Sequence, residues 1–261
     1  MTNSQLLNFP TDVLPGLATA FAPTGRLRAA INLGNPILAR RNPATGLPEG
    51  VSVDLAYEFA RQLGIDAELA VFDGAAKSVD ATSQNRADIG FFAVDPLRGA
   101  GLHFTAPYIL IEGSYLVRNA SPLQNNAQVD AVGHRVAVGQ GSAYDLFLTR
   151  ELKQAQVVRG DGAQGAVAAF EKQNLDALAG IRLMLEEEAT KTPGLRLLPG
   201  HFMVIQQAMG CPKTRGDVAA VALQAFVERM KSSGFVAQAM LRHGVVGATV
   251  AEPALSQAKG A

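Results

Sequence analysis

The apolar pattern of the chain changes period again and again. Runs of alternating or continuous apolar residues predict strands at 27–34, 66–72, 87–94 and 114–118. Between the first two, the stretch 53–64 repeats at helical spacing. Val53, Ala56, Tyr57 and Ala60 mark the face that packs on a sheet, and Gly64 marks the stop. A helix is expected near 75–86, and the loop 39–50 is dense in Gly, Pro and Asn. The pattern restarts at 134–141 with a strand that runs into a Gly-containing turn. Ser142 then caps a helix over 142–153, with Asp145 three residues on as an acidic form of the capping box. Strands at 155–159, 175–181 and 202–210 follow, separated by helices at 166–174 and 183–190, and one long helix covers 217–234. Strands and helices that alternate in this way give an α/β fold.

Composition narrows the function classes. The 261 residues, 48% of them hydrophobic, suit one large or two small domains. Twenty-three basic and twenty-three acidic residues cancel, and no Lys/Arg cluster suggests a nucleic-acid partner. Cys211 is the only cysteine and has no neighbour at metal-ligand spacing, so it is expected to be a packed residue. Neither a cofactor nor a metal is implied. No stretch approaches the length of a transmembrane helix, so direct membrane insertion is not expected. The segment 13–22 is apolar and ends in a small-x-small pattern. No Lys or Arg precedes Arg26, however, and Pro15-Gly16 interrupts the run, so it makes a poor export signal. This places the protein in the cytoplasm if Met1 is the native start, and in the periplasm if a signal has been removed.

One stretch, 157–170, carries Gly160-x-Gly162-x-x-Gly165 between a β-branched run and a helix-forming segment. A dinucleotide fingerprint also needs an acid at the end of the next strand to hold the ribose. That strand ends Gly180-Ile181-Arg182 instead. Arg182 leaves a 2′-phosphate open; the plainer reading is a solvent-exposed, Gly-rich turn.

The order of segments resembles the family 3 solute-binding proteins of polar amino-acid ABC transporters. The resemblance runs over about 24–244, through "GRLRAAINLGNP", "GLPEGVSVDLAYEFARQLGIDAEL", "NRADIGF", "DPLRGAGLHFTAPY", "HRVAVGQGSAYDLFL" and "NLDALAG". It implies a two-lobed type II periplasmic-binding-protein-like α/β fold with two crossing hinge strands. Lobe one would be 24–115 plus 208–250 and lobe two 119–203, with 1–23 an N-terminal extension and 251–261 a tail. It implies a small-molecule carboxylate ligand, hinge closure on that ligand, and a membrane component of an ABC transporter as partner.

Carried over residue by residue, the family's Thr-x-x-Arg motif falls on Asp95 to Arg98, and Arg98 becomes the clamp for the ligand carboxylate. Gly141, Ser142 and Ala143 offer helix N-terminal groups to the same anion, or serve only as a cap. Asn35 and Phe72 lie in ligand-contacting loops, with a local turn and a core position as their alternatives. Phe92 is either platform or core. Gln206 and Gln207 alternate on the return strand, and Gln207 is assigned to the ligand side.

The chain departs from the family in three places. Asp95 replaces the Thr, where it either starts a turn or pairs with a cation. The run Phe91-Phe92-Ala93 is apolar and shortened. Gly180-Ile181-Arg182 stands where amino-acid binders carry the Asp that pairs with the ligand's ammonium. A buried ammonium without a counter-charge is strongly unfavourable, so an ordinary α-amino acid is not the expected ligand.

Two other functions share the fold. A cyclohexadienyl or arogenate dehydratase needs a placed proton donor, for which Glu49, Asp95 and Glu112 are the candidates. None of the four histidines forms a nucleophile–base pattern, and no catalytic residue is assigned. A LysR-type regulator needs a helix-turn-helix, for which residues 1–23 are too short.

Overall fold

A computed structural model of the chain describes residues 14–253; residues 1–13 and 254–261, within the expected extension and tail, lie outside them. The chain divides into two compact units. Of the described residues, unit 1 comprises 14–109, 207–245 and 250–253, and unit 2 comprises 110–206 and 246–249. The chain therefore leaves unit 1 at 109/110, ahead of the 115–119 junction expected from sequence.

Unit 1 is built on parallel strands. β1 (Arg26–Asn32) pairs parallel with β4 (Asp66–Phe72) and with β5 (Ile89–Ala93). β12 (Met203–Pro212) adds antiparallel to β5, with Gln207 opposite Ala93, and takes β6 (Leu102–Phe104) on its other side. A two-residue hairpin, β2 (Arg40–Arg41) and β3 (Pro48–Glu49), ties the loop before α2 (Val51–Leu63). α2 begins where only glycine fits: a Cβ on Gly50 would lie 2.4 Å from the Leu38 carbonyl oxygen. It stops at Gly64 in the left-handed conformation, as the sequence predicts. Val53, Ala56 and Ala60 of the predicted face are buried, and Tyr57 alone departs from it. Leu55 and Phe59 are fully buried, and Tyr57 is exposed at 52%. The heavy apolar pair at i, i+4 sets the orientation and turns Tyr57 to solvent.

The apolar segment near the N-terminus is spent inside the fold. α1 (Leu14–Phe21) buries Leu17 and Phe21, one turn apart. The Phe21 ring meets Phe59 edge-on at 4.8 Å, and Phe59 meets Phe226 of α7 (Gly216–Ser232) at 4.8 Å. The long helix predicted over 217–234 is α7, and Gly234, with φ of 78°, separates it from a further helix, α8 (Phe235–Arg242). α3 (Ala75–Ser83) completes the helices of this unit.

Unit 2 repeats the plan. β8 (Arg135–Gly139) pairs parallel with β9 (Gln156–Gly160) and with β10 (Ala177–Ile181). β7 (Ile109–Arg118) runs antiparallel to β10 and carries the short β11 (Leu195–Leu197). α4 (Ala143–Glu151), α5 (Gly162–Lys172) and α6 (Arg182–Lys191) are the crossovers, and Phe170, Leu178, Leu185 and Leu116 form the core beneath α5 and α6.

The glycines at 160–165 have a packing role that the plain turn reading missed. A Cβ on Gly160 would fall 2.1 Å from the Gly165 carbonyl carbon, so the end of β9 and the first turn of α5 touch backbone to backbone. Gly162 supplies the positive φ, 62°, that starts the helix four residues earlier than predicted.

Phe21→Ala is expected to destabilise the protein by about 3–5 kcal/mol, the usual cost of emptying a buried phenylalanine site, as read from urea unfolding. In the same assay Gly160→Ala is expected to cost at least about 1–3 kcal/mol through overpacking.

Candidate functional site

Parallel strands present their carboxyl ends on one side of a sheet, and ligands of open α/β sheets bind there. Each unit has such an edge. In unit 1 Asn35 lies in the loop after β1, Phe72 ends β4, and Ala93 ends β5 ahead of the turn that carries Asp95 and Arg98. In unit 2 Gly141 and Ser142 lie between β8 and α4, which Ala143 begins, and Gly180 and Ile181 end β10 where Arg182 begins α6.

The unit 1 edge is dominated by Arg98, which is 6% exposed. Its Nη1 donates to the Ala93 carbonyl at 3.1 Å. Asp95, itself buried, accepts the Leu97 N–H at 2.8 Å, and its backbone carbonyl accepts the Gly99 N–H at 2.9 Å. Asp95 therefore plays both roles open to it from sequence, since it starts the turn and also stabilises the Arg98 cation through its charge. Burial is the larger effect and pulls the Arg98 guanidinium down to about 10, still fully charged at neutral pH. Gln207 is buried beside this turn, whereas Gln206 is exposed.

The aromatic residues take different positions. Phe72 is half-buried at the end of β4. Phe92 is core: a Cβ on Gly90 would lie 2.2 Å from its ring, Gly210 crowds it from β12, and Phe104 stands edge-on at 6.3 Å. Asn35 closes its own turn, its Oδ1 accepting the Ile37 N–H at 3.2 Å.

In unit 2 the start of α4 is heavily self-satisfied. The Ser142 Oγ accepts the Asp145 N–H at 3.0 Å, as the capping pattern predicts. The Asp145 carboxylate, however, reaches the Gly141 N–H at 2.8 Å instead of returning to Ser142. Arg159 of β9 donates its Nε to both Asp145 oxygens at 3.0 and 3.1 Å. Asp145 thus occupies a position an anion would seek at this helix terminus. Its acidic N3 position was legible in the sequence; its partner Arg159, fourteen residues away on the neighbouring strand, carried no signal.

The end of β10 is apolar and then basic. Ile181 is buried, and a Cβ on Gly180 would press on Leu185 at 3.0 Å. Arg182 turns to its own unit, donating to the Gly200 carbonyl at 2.9 Å, to Glu186 at 3.0 Å and to Glu112 at 3.4 Å. Beside it a cavity of about 80 Å³ opens among Tyr144, Gln164, Val167, Gly180, Met184 and Glu188.

The carboxylates considered as proton donors are all engaged. Glu49 accepts from Asn42 and Arg40, which hold it below the usual carboxylate range, the wrong direction for a general acid. Glu112 pairs with Arg182 and with His201 at 3.3 Å. Among the described residues no group of His, Cys, Asp and Glu side chains is placed to hold a metal ion, and no helix is long and apolar enough to cross a membrane.

Solved structures share this fold. A mutant of ArgBP from T. maritima superposes with a TM-score of 0.71 at 20% identity, covering 88% of this chain and all (100%) of that one. A solute receptor for L-cysteine of Neisseria gonorrhoeae gives 0.71 at 19% identity, covering 87% and 92%. A putative ABC-transporter binding component from Wolinella succinogenes, complexed with lysine, gives 0.68 at 19% identity, covering 84% and 95%. None of the curated proteins compared with the chain matches it. The sequence profile of the bacterial extracellular solute-binding proteins, family 3, matches residues 27–244. With its two-lobed α/β architecture of the type II periplasmic-binding-protein kind, the chain belongs to that family of solute-binding proteins.

Proposed function

We propose that this solute-binding protein takes a small organic carboxylate lacking an α-ammonium group, that Arg98 clamps the carboxylate, and that binding is coupled to movement of the two units. The observation that carries the reading is the end of β10. Where the resemblance implies an ammonium-binding Asp, the chain has buried Ile181 followed by Arg182, whose cation is already held by Glu112 and Glu186. An ammonium buried without its counter-charge is costly, so a ligand without one is preferred. Arg98 supports the other half of the reading. Its guanidinium has five N–H donors in a planar fork, is anchored on Ala93 and stays charged at neutral pH. At the start of α4 the Gly141 and Ser142 amides are taken by Asp145 and Gly139, so that helix contributes chiefly through Ala143 and the Ser142 hydroxyl.

A ligand shifts an equilibrium between arrangements only by its differential affinity for them. One that touches both carboxyl edges meets that condition. Relatives described as ABC-transporter binding components suggest a membrane transporter as the partner that receives the ligand.

A thermal-shift screen tests the ligand class with small carboxylates in pairs, with and without the α-ammonium, prephenate and arogenate among them. Acids without the ammonium are expected to raise Tm with concentration. Stabilisation by standard amino acids instead would reject the reading. Arg98→Ala, confirmed folded by circular dichroism, is expected to lose the shift, since removing one partner of a buried charged contact costs about 2–5 kcal/mol of binding. The pH dependence follows from the same group. Its folded-state value is lowered to about 10, so the cation persists below that pH and is lost above it. Carboxylate affinity measured by calorimetry is expected to hold across neutral pH and fall only as pH rises past about 10, because the bound anion itself favours the charged form.

A further inference from the structure

The family match ends at residue 244, yet the chain goes on to visit both units again. After α8 it enters unit 2 at 246–249 and returns to unit 1 at 250. The visit is fixed at each end. Within unit 2, Gly247 adopts a φ of 71° and lies so close to α6 that a Cβ there would stand 3.1 Å from the Leu183 Cβ. β13 (Ala248–Val250) pairs with β7.

Within unit 1 the Ala251 N–H donates to the Tyr108 carbonyl at 3.1 Å, and the Lys231 Nζ donates to the Glu252 and Pro107 carbonyls, both at 3.1 Å. The Lys231 side chain is 1% exposed, with Glu228 at 2.8 Å balancing its charge. A lysine is almost never buried so deeply unless it is paired. This one binds a carbonyl just before the chain first leaves unit 1 and another just after its final return.

We propose that residues 245–252 form a strap, a segment that passes from unit 1 into unit 2 and back and restrains the movement of the two units beyond what β7 and β12 impose. Two connections leave a rotation about the pair, and a third segment anchored in both units opposes it. The restraint itself is independent of ligand. Its functional meaning rests on the proposed coupling of binding to movement, because a strap that raises the free energy of one arrangement changes the differential affinity a ligand must supply.

The test is made without ligand, so that it stands apart from the carboxylate screen. Val221→Cys in unit 1 and Val132→Cys in unit 2, at positions 68% and 81% exposed, receive spin labels. The native Cys211 is buried and its thiol is pushed up to about 11, so it stays unlabelled. Pulsed dipolar distance distributions are then compared for the parent chain, a chain ending at Pro253, a chain ending at Val245, Thr249→Pro and Lys231→Met. The chain ending at Pro253 is expected to match the parent. The other three are expected to give broader, shifted distributions, since Thr249→Pro removes an N–H and fixes φ within β13, and Lys231→Met releases the anchor. Should the shortest chain fail to fold, the two point variants decide the matter. Parent-like distributions in variants that melt cooperatively would overturn the strap.

Discussion

A parallel pair of strands cannot be closed by a tight turn, and the organisation of this protein follows from that constraint. Each parallel connection needs a crossover helix, so each sheet gathers its returning loops on one edge. β1, β4 and β5 send three loops to a common edge in unit 1, and β8, β9 and β10 do the same in unit 2. Topology therefore collects the candidate polar residues of each unit at that unit's own edge.

On that scaffold the chemistry turns on how buried charges are balanced. Arg98 is buried with a carboxylate of its own chain nearby, so its burial penalty is partly offset before any ligand arrives. Asp145 and Arg159 balance each other at the start of α4, and Arg182 is held by Glu112 and Glu186 at the start of α6. Each terminus that faces the carboxyl edge of unit 2 is thus stabilised from within. Under the proposed function a ligand would compete with internal partners there, and selectivity would depend on which of them it replaces.

The arrangement of elements was legible in the sequence wherever periodicity was long and punctuated. α2 with its Gly64 stop, the Ser142 cap and the turn ahead of Arg98 were all readable locally. Tertiary choices were not. Tyr57 fits a helical apolar face, yet it is exposed because Leu55 and Phe59 offer more area to the core. The apolar run of α1 gave no local sign of where its face packs, which only the Phe59 ring meeting Phe21 edge-on reveals. At the site, Arg98 followed from motif spacing, whereas the assignment of Phe92 to the core needed Gly90 and Gly210 on two different strands. Long-range partners such as Arg159 for Asp145 leave no local trace.

The interleaving of the two units also sets an order of assembly during synthesis. Residues 110–206 form one uninterrupted stretch, so nearly all of unit 2 has emerged from the ribosome before the later part of unit 1 exists. Until 203–212 appears, β5 has an edge with no strand to complete it, and Phe59 lacks the ring from α7 that covers it. Residues 26–93, made before unit 2, are therefore among the last to be finished. Their exposed strand edge and apolar surface make the nascent chain, more than the folded protein, the stage most open to aggregation.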